Sequence, residues 1–332
     1  MWYIFCIFAA MKKILHLAII ALFFCTSCSN QPVQQFEGTA FGTIYHVTYL
    51  GEHSASIPHE VDSVLNEINA TFSIFDTNSL ISRINSGEDI QSNEDLLKIL
   101  ALSLEINQQT KGAFECTIQP LVELWGFGRE NQKKVVSQEQ IDSVKQFVGS
   151  NYVHIQDGAI VKTDPRVQLN FNAVAKGYAV DKVAQFLKQK GYENCLVEIG
   201  GEIVALGDKN GKPWKVGIQK PTETADGPVD SNESFELKNR AVATSGNYRN
   251  FFESNGKRYT HILNPVTGKP EETNLFSVTI IAPDCATADA FATAFMVLGV
   301  EKSSEIVKQH SELEAWFIFN ENNHLKTIKI NH

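Results

Sequence analysis

The stretch NFNAVAKGYAVDKVAQFLKQKGYENCLVEIGGEIVAL, residues 170–206, decides the fold class. A strand around Val167 to Phe171 runs into a helix from about Ala173 to Lys190, and Gly191 supplies the left-handed stop that ends a helix. Leu196 to Leu206 then returns to short-strand composition. Downstream the same reading gives strands at Trp214 to Gln219, Phe235 to Thr244, Tyr259 to Leu263, Ser277 to Ile281 and Ala315 to Phe319. A helix from Asp284 to Leu298 and another after Glu301 interrupt them. Helices set between runs of antiparallel-looking strands predict an α+β fold, antiparallel sheets with packed helices, rather than a doubly wound sheet.

Upstream, Phe36 to Leu50 alternates β-branched and aromatic residues and predicts a strand or hairpin that opens the domain. Val61, Leu65, Ile68 and Phe72 recur at helical spacing, as do Leu96, Leu97, Leu100 and Leu104 behind Asn93, a candidate N-cap. Ser137 with Gln140 predicts a capping box for a helix through Val148, and Asp157-Gly158 predicts a hairpin turn between VHI and AIV. Pro221 to Glu233 has loop composition and reads as a surface insertion. No internal repeat or linker divides the chain, so residues 36–332 read as a single domain.

The chain has 332 residues, 43% hydrophobic and 20% charged, enough to bury a core. Its formal charge of -9 gives no basic footprint for a phosphate backbone, so nucleic acid is not an expected partner. An acidic protein can still hold an anionic cofactor where a metal, a few cations and backbone N–H groups supply positive potential locally.

Lys12 and Lys13 precede an apolar run from Ile14 to Phe24, then Cys25-Thr26-Ser27-Cys28 and a polar exit. That is the pattern of a secretory signal over residues 1–27, with Met11 as a second candidate start. Ser27-Cys28 resembles a bacterial lipobox, although Cys25 stands where leucine is usual. The expectation is therefore a lipid-anchored protein of the cell envelope, facing the periplasm or exterior, with residues 28–35 as a tether. The remaining Cys116, Cys195 and Cys285 lie far apart and do not indicate a zinc site or a disulfide framework.

Four stretches suggest chemistry. In NAVAKGYAVD, Lys176 and Gly177 fall in the first turns of a helix fed by a strand, where free N–H groups favour an anion. In CATADAFATAF, Asp289 and Thr293 lie one turn apart on one helix face, two hard oxygens suited to Mg2+. In THILNPVTG a strand delivers His261 to a turn, where an imidazole can serve as general base. In GAFECTIQPLVELWGFG and the preceding FSIFD, glycines accompany Phe75, Phe114, Trp125 and Phe127, rings that can stack on a flat cofactor. Each stretch alone is as readily structural.

Taken in order, AFGTIYHVTY, FSIFD, GAFECT…WGFG, NAVAKGYAVD, VEIGGEI, AVATSGNYRNF, THILNPVTG and TADAFATAF resemble the ApbE family from about Phe36 to Gly299. The resemblance implies a T-fold-related domain and an FAD:protein FMN transferase that depends on Mg2+. It implies that Asp289, Thr293 and backbone oxygens of Ala173 and Ala292 hold Mg2+, and that His261 is catalytic. Phe41, Phe75, Ala113, Phe114, Glu115, Asn170, Lys176, Ile262 and Leu263 are implied to line the FAD site. Phe41 replaces a usual methionine, and Glu115 and Asn170 replace usual aspartates. The implied partner is an exported acceptor protein, a subunit of an electron-transfer complex carrying a Ser/Thr flavinylation motif. Two other readings fit the residues: an FAD pyrophosphatase that uses water, and a non-catalytic FAD-binding lipoprotein.

Overall fold

In the strand pair β1 (Val33–Ala40) and β2 (Thr43–Leu50), Tyr45, Val47 and Tyr49 turn inward at every second position while Ile44 and His46 face out. Val33 pairs with Leu50, so the domain begins three residues before Phe36 and the expected tether is shorter by that much. A computed structural model describes residues 30–130, 132, 135–219, 229–247, 251–254, 257–322 and 324–331. The signal segment, Cys28 and residues 221–228 lie outside the described residues, and Val33–His332 forms one compact unit.

Helices α1 (Ile57–Phe72), α2 (Leu80–Asn85), α3 (Glu94–Gln109), α4 (Gln119–Leu124) and α5 (Gln138–Lys145) follow β2. Ile57, Val61, Leu65, Ile68 and Phe72 make one buried stripe on α1. Asn93 caps α3 by accepting the Leu96 N–H at 2.8 Å, and Ser137 with Gln140 closes the capping box on α5. The hairpin β3 (Val153–Gln156) and β4 (Ala159–Lys162) turns at Asp157-Gly158 as expected. Val167 to Phe171 forms no strand: only Gln168 bridges to Ile118, because Asn170 and Leu169 give their backbone groups to Cys116 and to the Asn85 side chain instead.

Helix α6 (Ala175–Gln189) ends before Gly191, whose φ is 92°. Leu196 to Leu206 is two strands, β5 (Cys195–Ile199) and β6 (Glu202–Leu206), folded back at Gly200-Gly201. There follow β7 (Trp214–Gln219), β8 (Val229–Leu237) and β9 (Arg240–Gly246), so the end of the expected loop, 229–233, is strand, and Asn239 at φ 52° breaks the single strand expected over Phe235 to Thr244. Tyr259 to Leu263 is likewise divided between β11 (Lys257–Thr260), which pairs with β10 (Phe251–Ser254), and β12 (Leu263–Asn264), which pairs with β13 (Lys269–Pro270). The chain closes with β14 (Leu275–Ala282), α7 (Cys285–Val307), β15 (Glu314–Glu321) and an additional strand, β16 (His324–Ile330). Gly299 interrupts α7 with φ 77° and ψ 174°, which separates the two helices the sequence predicted.

Eight strands form one antiparallel sheet in the order β1-β2-β5-β6-β9-β14-β15-β16. Its inner face carries the main core with α1, α3, α6 and α7, and the alanine- and phenylalanine-rich first half of α7 is buried nearly all round. The opposite face buries Leu50, Ala205, Val242, Ile281 and Trp316 under Trp214, Val216, Phe235 and Leu237 of β7 and β8. Following the pairings, the β1–β2 turn, the β5–β6 turn, the end of β9 and the start of β14 share one end of the sheet. That end gathers Phe41, Glu202 and Ser245.

Helices α6 and α7 meet at Gly177, where a Cβ would stand 2.3 Å from the Cys285 carbonyl oxygen and 2.9 Å from Asp289 Cβ. Replacing a helical glycine by alanine ordinarily stabilises by about 0.4–1 kcal/mol. Here overpacking against backbone opposes that gain and costs about 1–3 kcal/mol. Gly177→Ala is therefore expected to lower the unfolding free energy measured in urea, whereas Gly→Ala at an open helical position would raise it.

Candidate active site

Around the start of α6 the chain buries two carboxyl groups, Glu202 and Asp289, with a half-buried ammonium, Lys176, and a half-buried third carboxyl, Asp181. Lys176, in the first turn of α6, makes a short ion pair with Glu202 at the head of β6, whose side chain is 2% exposed. Asp289 of α7 is 5% exposed and accepts the Gly177 N–H at 3.0 Å on Oδ2. Thr293, one turn on, shares a hydrogen bond of 3.1 Å with Ser245 at the end of β9. Asp181, one turn after Gly177, accepts the N–H groups of Cys285 and Ala286, each at 2.9 Å.

The Gly177 N–H has a second significance. In a regular helix it would donate to the carbonyl of residue 173, four positions back. Because it turns to Asp289 instead, the Ala173 carbonyl accepts no hydrogen bond among the described residues. The Ala173 carbonyl, just ahead of α6, is thereby left open to another partner. Ala292 is fully buried on α7 between Asp289 and Thr293.

Burial, then the nearby Glu202 charge, push the Asp289 carboxyl up to about 8. Burial raises Glu202 as well, against the pull of Lys176. Lys176 is held above its ordinary value: burial works against the ammonium, but the Glu202 and Asp289 charges outweigh it. With Glu202 and Asp289 both ionised, Lys176 offsets only one of the two charges, and Asp181 adds to the negative potential at Asp289, an imbalance that a divalent cation would relieve. The donors are hard oxygens, one carboxylate, one hydroxyl and one free carbonyl, which fit Mg2+ and do not suit zinc. Among the described residues no group of three His, Cys, Asp or Glu side chains is arranged to hold a metal.

His261, Ile262 and Leu263 belong to a second assembly. His261 is exposed directly after β11, while Ile262 and Leu263 are each 6% exposed. The Ile262 carbonyl accepts the Glu271 N–H at 2.8 Å. Asn264 Oδ1 accepts the Val266 and Thr267 N–H groups, and the Trp125 indole N–H donates to the Gly268 carbonyl at 2.8 Å. Trp125 is thereby a clamp on the turn after His261 rather than a ring open to a ligand.

The other expected flavin contacts divide. Phe41 and Phe75 are 36% and 58% exposed, and Phe75 rides on a loop fixed by Ser73 and by the Arg129 guanidinium on the Ile74 carbonyl. Ala113 and the Phe114 ring are buried in the core, with the Phe114 carbonyl accepting from Asn107 at 2.6 Å. The Glu115 carboxylate accepts from Thr117, Ser150 and Asn107 and ties three segments together. Asn170 is 7% exposed, donates to Gln119 at 2.6 Å and accepts the Asn172 N–H at 2.8 Å. Glu202, Asp181 and Ser245 were not singled out by sequence, since nothing in GGE, AVD or TSG signals which helix or strand each will meet.

The fold and site together define an α+β protein with a buried oxygen-donor cluster where two helices cross. Residues 41–317 match the model of the ApbE family, and the chain belongs to that family. It is 34% identical over 319 residues to the FAD:protein FMN transferase of Haemophilus influenzae, covering 91% of this chain and 92% of that protein. Among solved structures it resembles the flavin transferase ApbE of Vibrio cholerae at a TM-score of 0.80 and 32% identity, covering 90% of this chain and 98% of that one. The apo flavinyl transferase ApbE of Pseudomonas stutzeri matches at 0.81 and 32%, covering 91% and 96%.

Burial raises the Asp181 carboxyl from its ordinary 3.8 to about 7, against the two N–H groups that hold its anion. Between those values the folded chain keeps a proton that the unfolded chain has lost, so stability from this group is full below about pH 4 and declines as pH rises to 7. The stability advantage of the natural chain over Asp181→Asn should therefore shrink across that window and level off above it. Denaturant unfolding at a series of pH values measures this directly, and an advantage that grows with pH contradicts it.

Proposed function

We propose that the protein is a Mg2+-dependent FAD:protein FMN transferase, which attaches FMN by a phosphoester to a threonine or serine of an exported acceptor and releases AMP. The reading is supported by the names of its relatives and carried by one observation, the Gly177 N–H that turns to Asp289 and leaves the Ala173 carbonyl without a hydrogen bond among the described residues. Asp289, Thr293 and the Ala173 carbonyl, with Ala292, would hold Mg2+, which supplies charge neutralisation on a diphosphate.

The rest falls to the chain itself. Phe41 and Phe75 offer exposed rings on which an isoalloxazine would stack, and Ile262 and Leu263 are buried next to the exposed His261. His261, exposed at the end of β11, accepts the proton of the acceptor hydroxyl. The hydroxyl oxygen then bonds to the FMN-side phosphorus, the bridging P–O bond breaks, and AMP departs. Lys176, fixed by Glu202, adds a positive charge near the phosphates without leaving its ion pair. Such a reaction is mainly positioning and electrostatics, which suits a site with a single candidate base.

The signal segment and Cys28 further lead us to propose lipid anchoring in the cell envelope; no helix among the described residues is long and apolar enough to cross a membrane.

Incubation with FAD, Mg2+ and a candidate acceptor should leave flavin fluorescence on the acceptor band of a denaturing gel, and mass spectrometry should find one added FMN. AMP released while the acceptor stays unlabelled would instead show hydrolysis. His261→Ala should slow transfer by about 10²–10⁴-fold with FAD binding little changed. Asp289→Ala should remove Mg2+ activation and lower transfer by several kcal/mol of barrier, about a thousandfold. Equal loss of FAD affinity in both variants would contradict these separate roles.

A further inference from the structure

The start of α7 is capped twice. A helix leaves its first N–H groups without intrahelical partners, and its own N-cap residue normally serves one or two of them. Asp284 does so for the Thr287 N–H at 2.8 Å. The two preceding N–H groups, of Cys285 and Ala286, go to one carboxylate on another helix, Asp181 of α6, one oxygen to each. Local folding of α7 does not require this second cap. Its geometric effect is to pin the first turn of α7 to the second turn of α6.

Two further contacts lie beside it. Gly177, one turn before Asp181, lets the Cys285 carbonyl come within 2.3 Å of where a Cβ would be, and its N–H holds Asp289 Oδ2. Residues 177 and 181 therefore meet residues 285, 286 and 289 as a single joint. At its own start α6 has no side-chain cap at Val174, and the turn carrying the Ala173 carbonyl is tied to the helix by the Phe171 carbonyl, which accepts the Val174 and Ala175 N–H groups. The separation between that carbonyl and Asp289 is fixed by how α6 and α7 sit together.

We propose that Asp181 is a positioning residue for the cation site: by holding the Cys285 and Ala286 N–H groups it sets the distance between the Asp289 carboxylate and the Ala173 carbonyl. The inference rests on the metal reading above and adds to it a residue that touches neither metal nor substrate. Donors displaced by a fraction of an ångström lose much of their affinity for a small, geometrically demanding ion. Asp181→Asn keeps the size but offers one acceptor oxygen, and turns an amide N–H toward the other donor. Asp181→Glu keeps the charge and both oxygens but moves them by a methylene, so it separates position from charge.

The test uses the full-length chain and Mn2+ alone as probe, with the free ion followed by electron paramagnetic resonance in the absence of FAD. Both Asp181→Asn and Asp181→Glu should raise the Mn2+ dissociation constant at least tenfold, and amide exchange over residues 283–295 should quicken. In turnover with FAD, the Mg2+ concentration for half-maximal AMP release should rise in parallel, with kcat largely regained at saturating Mg2+. Leu237→Ala, which opens the core on the far face of the sheet, serves as a control for general loss of stability and should leave the Mn2+ constant within twofold. Unchanged Mn2+ binding in Asp181→Asn overturns the proposal, as does full restoration by Asp181→Glu or an equal shift in Leu237→Ala. A natural chain that binds no Mn2+ would overturn the metal reading itself, whereas binding that survives the Asp181 changes removes only the positioning role.

Discussion

The approach of α6 to α7 at Gly177 is the constraint on which the rest depends. Only a residue without a side chain lets the Cys285 carbonyl come that close, and the same residue sends its N–H sideways to Asp289. One backbone group thereby does two things. It ties a carboxylate to the helix start, and it withdraws from the carbonyl it would otherwise occupy. The oxygen-donor cluster is thus a product of helix packing more than of any side chain reaching into a cleft.

Electrostatics then sets what the cluster can be. A core that buries Glu202 and Asp289 against one lysine, with Asp181 close to Asp289, is out of balance unless protons or a cation make up the difference. Burial drives Asp181 and Asp289 toward holding protons near neutrality, and Lys176 is committed to Glu202. An arrangement of that kind is costly for a passive scaffold, and such perturbed groups gather where a site has chemistry to perform. The turn behind His261, held by the Trp125 indole on the Gly268 carbonyl and by the Asn264 side chain, gives that exposed residue a fixed place after β11.

Much of the architecture was legible because it is local. Asn93, Ser137 and Gly191 signal helix ends through their own side chains or their own φ, and the alternation Tyr45, Val47, Tyr49 declares a half-buried strand. The Asp289 and Thr293 pairing on one face follows from helical period alone. What could not be read depends on partners distant in the chain. Val167 to Phe171 looks like a strand, yet its neighbours are an asparagine side chain and a lone bridge, so no ladder forms. Glu115 and Asn170 look available to a ligand, and the structure shows their polar atoms taken up by Ser150, Thr117 and Gln119. Glu202 and Asp181 acquire their meaning only once β6 and α7 arrive beside α6.

The β1–β2 hairpin carries one departure from good turn chemistry. Phe41 sits at φ 53°, a backbone region where a bulky L-residue is strained by about 1–2 kcal/mol, with its ring part-exposed beside Gly42. Asparagine followed by glycine would make the same two-residue connection with less strain. A redesign guided by thermostability alone would rewrite this position first, and in doing so would trade away an aromatic surface at the sheet end where Glu202 and Ser245 also converge. Robustness and usefulness pull in opposite directions at that single residue.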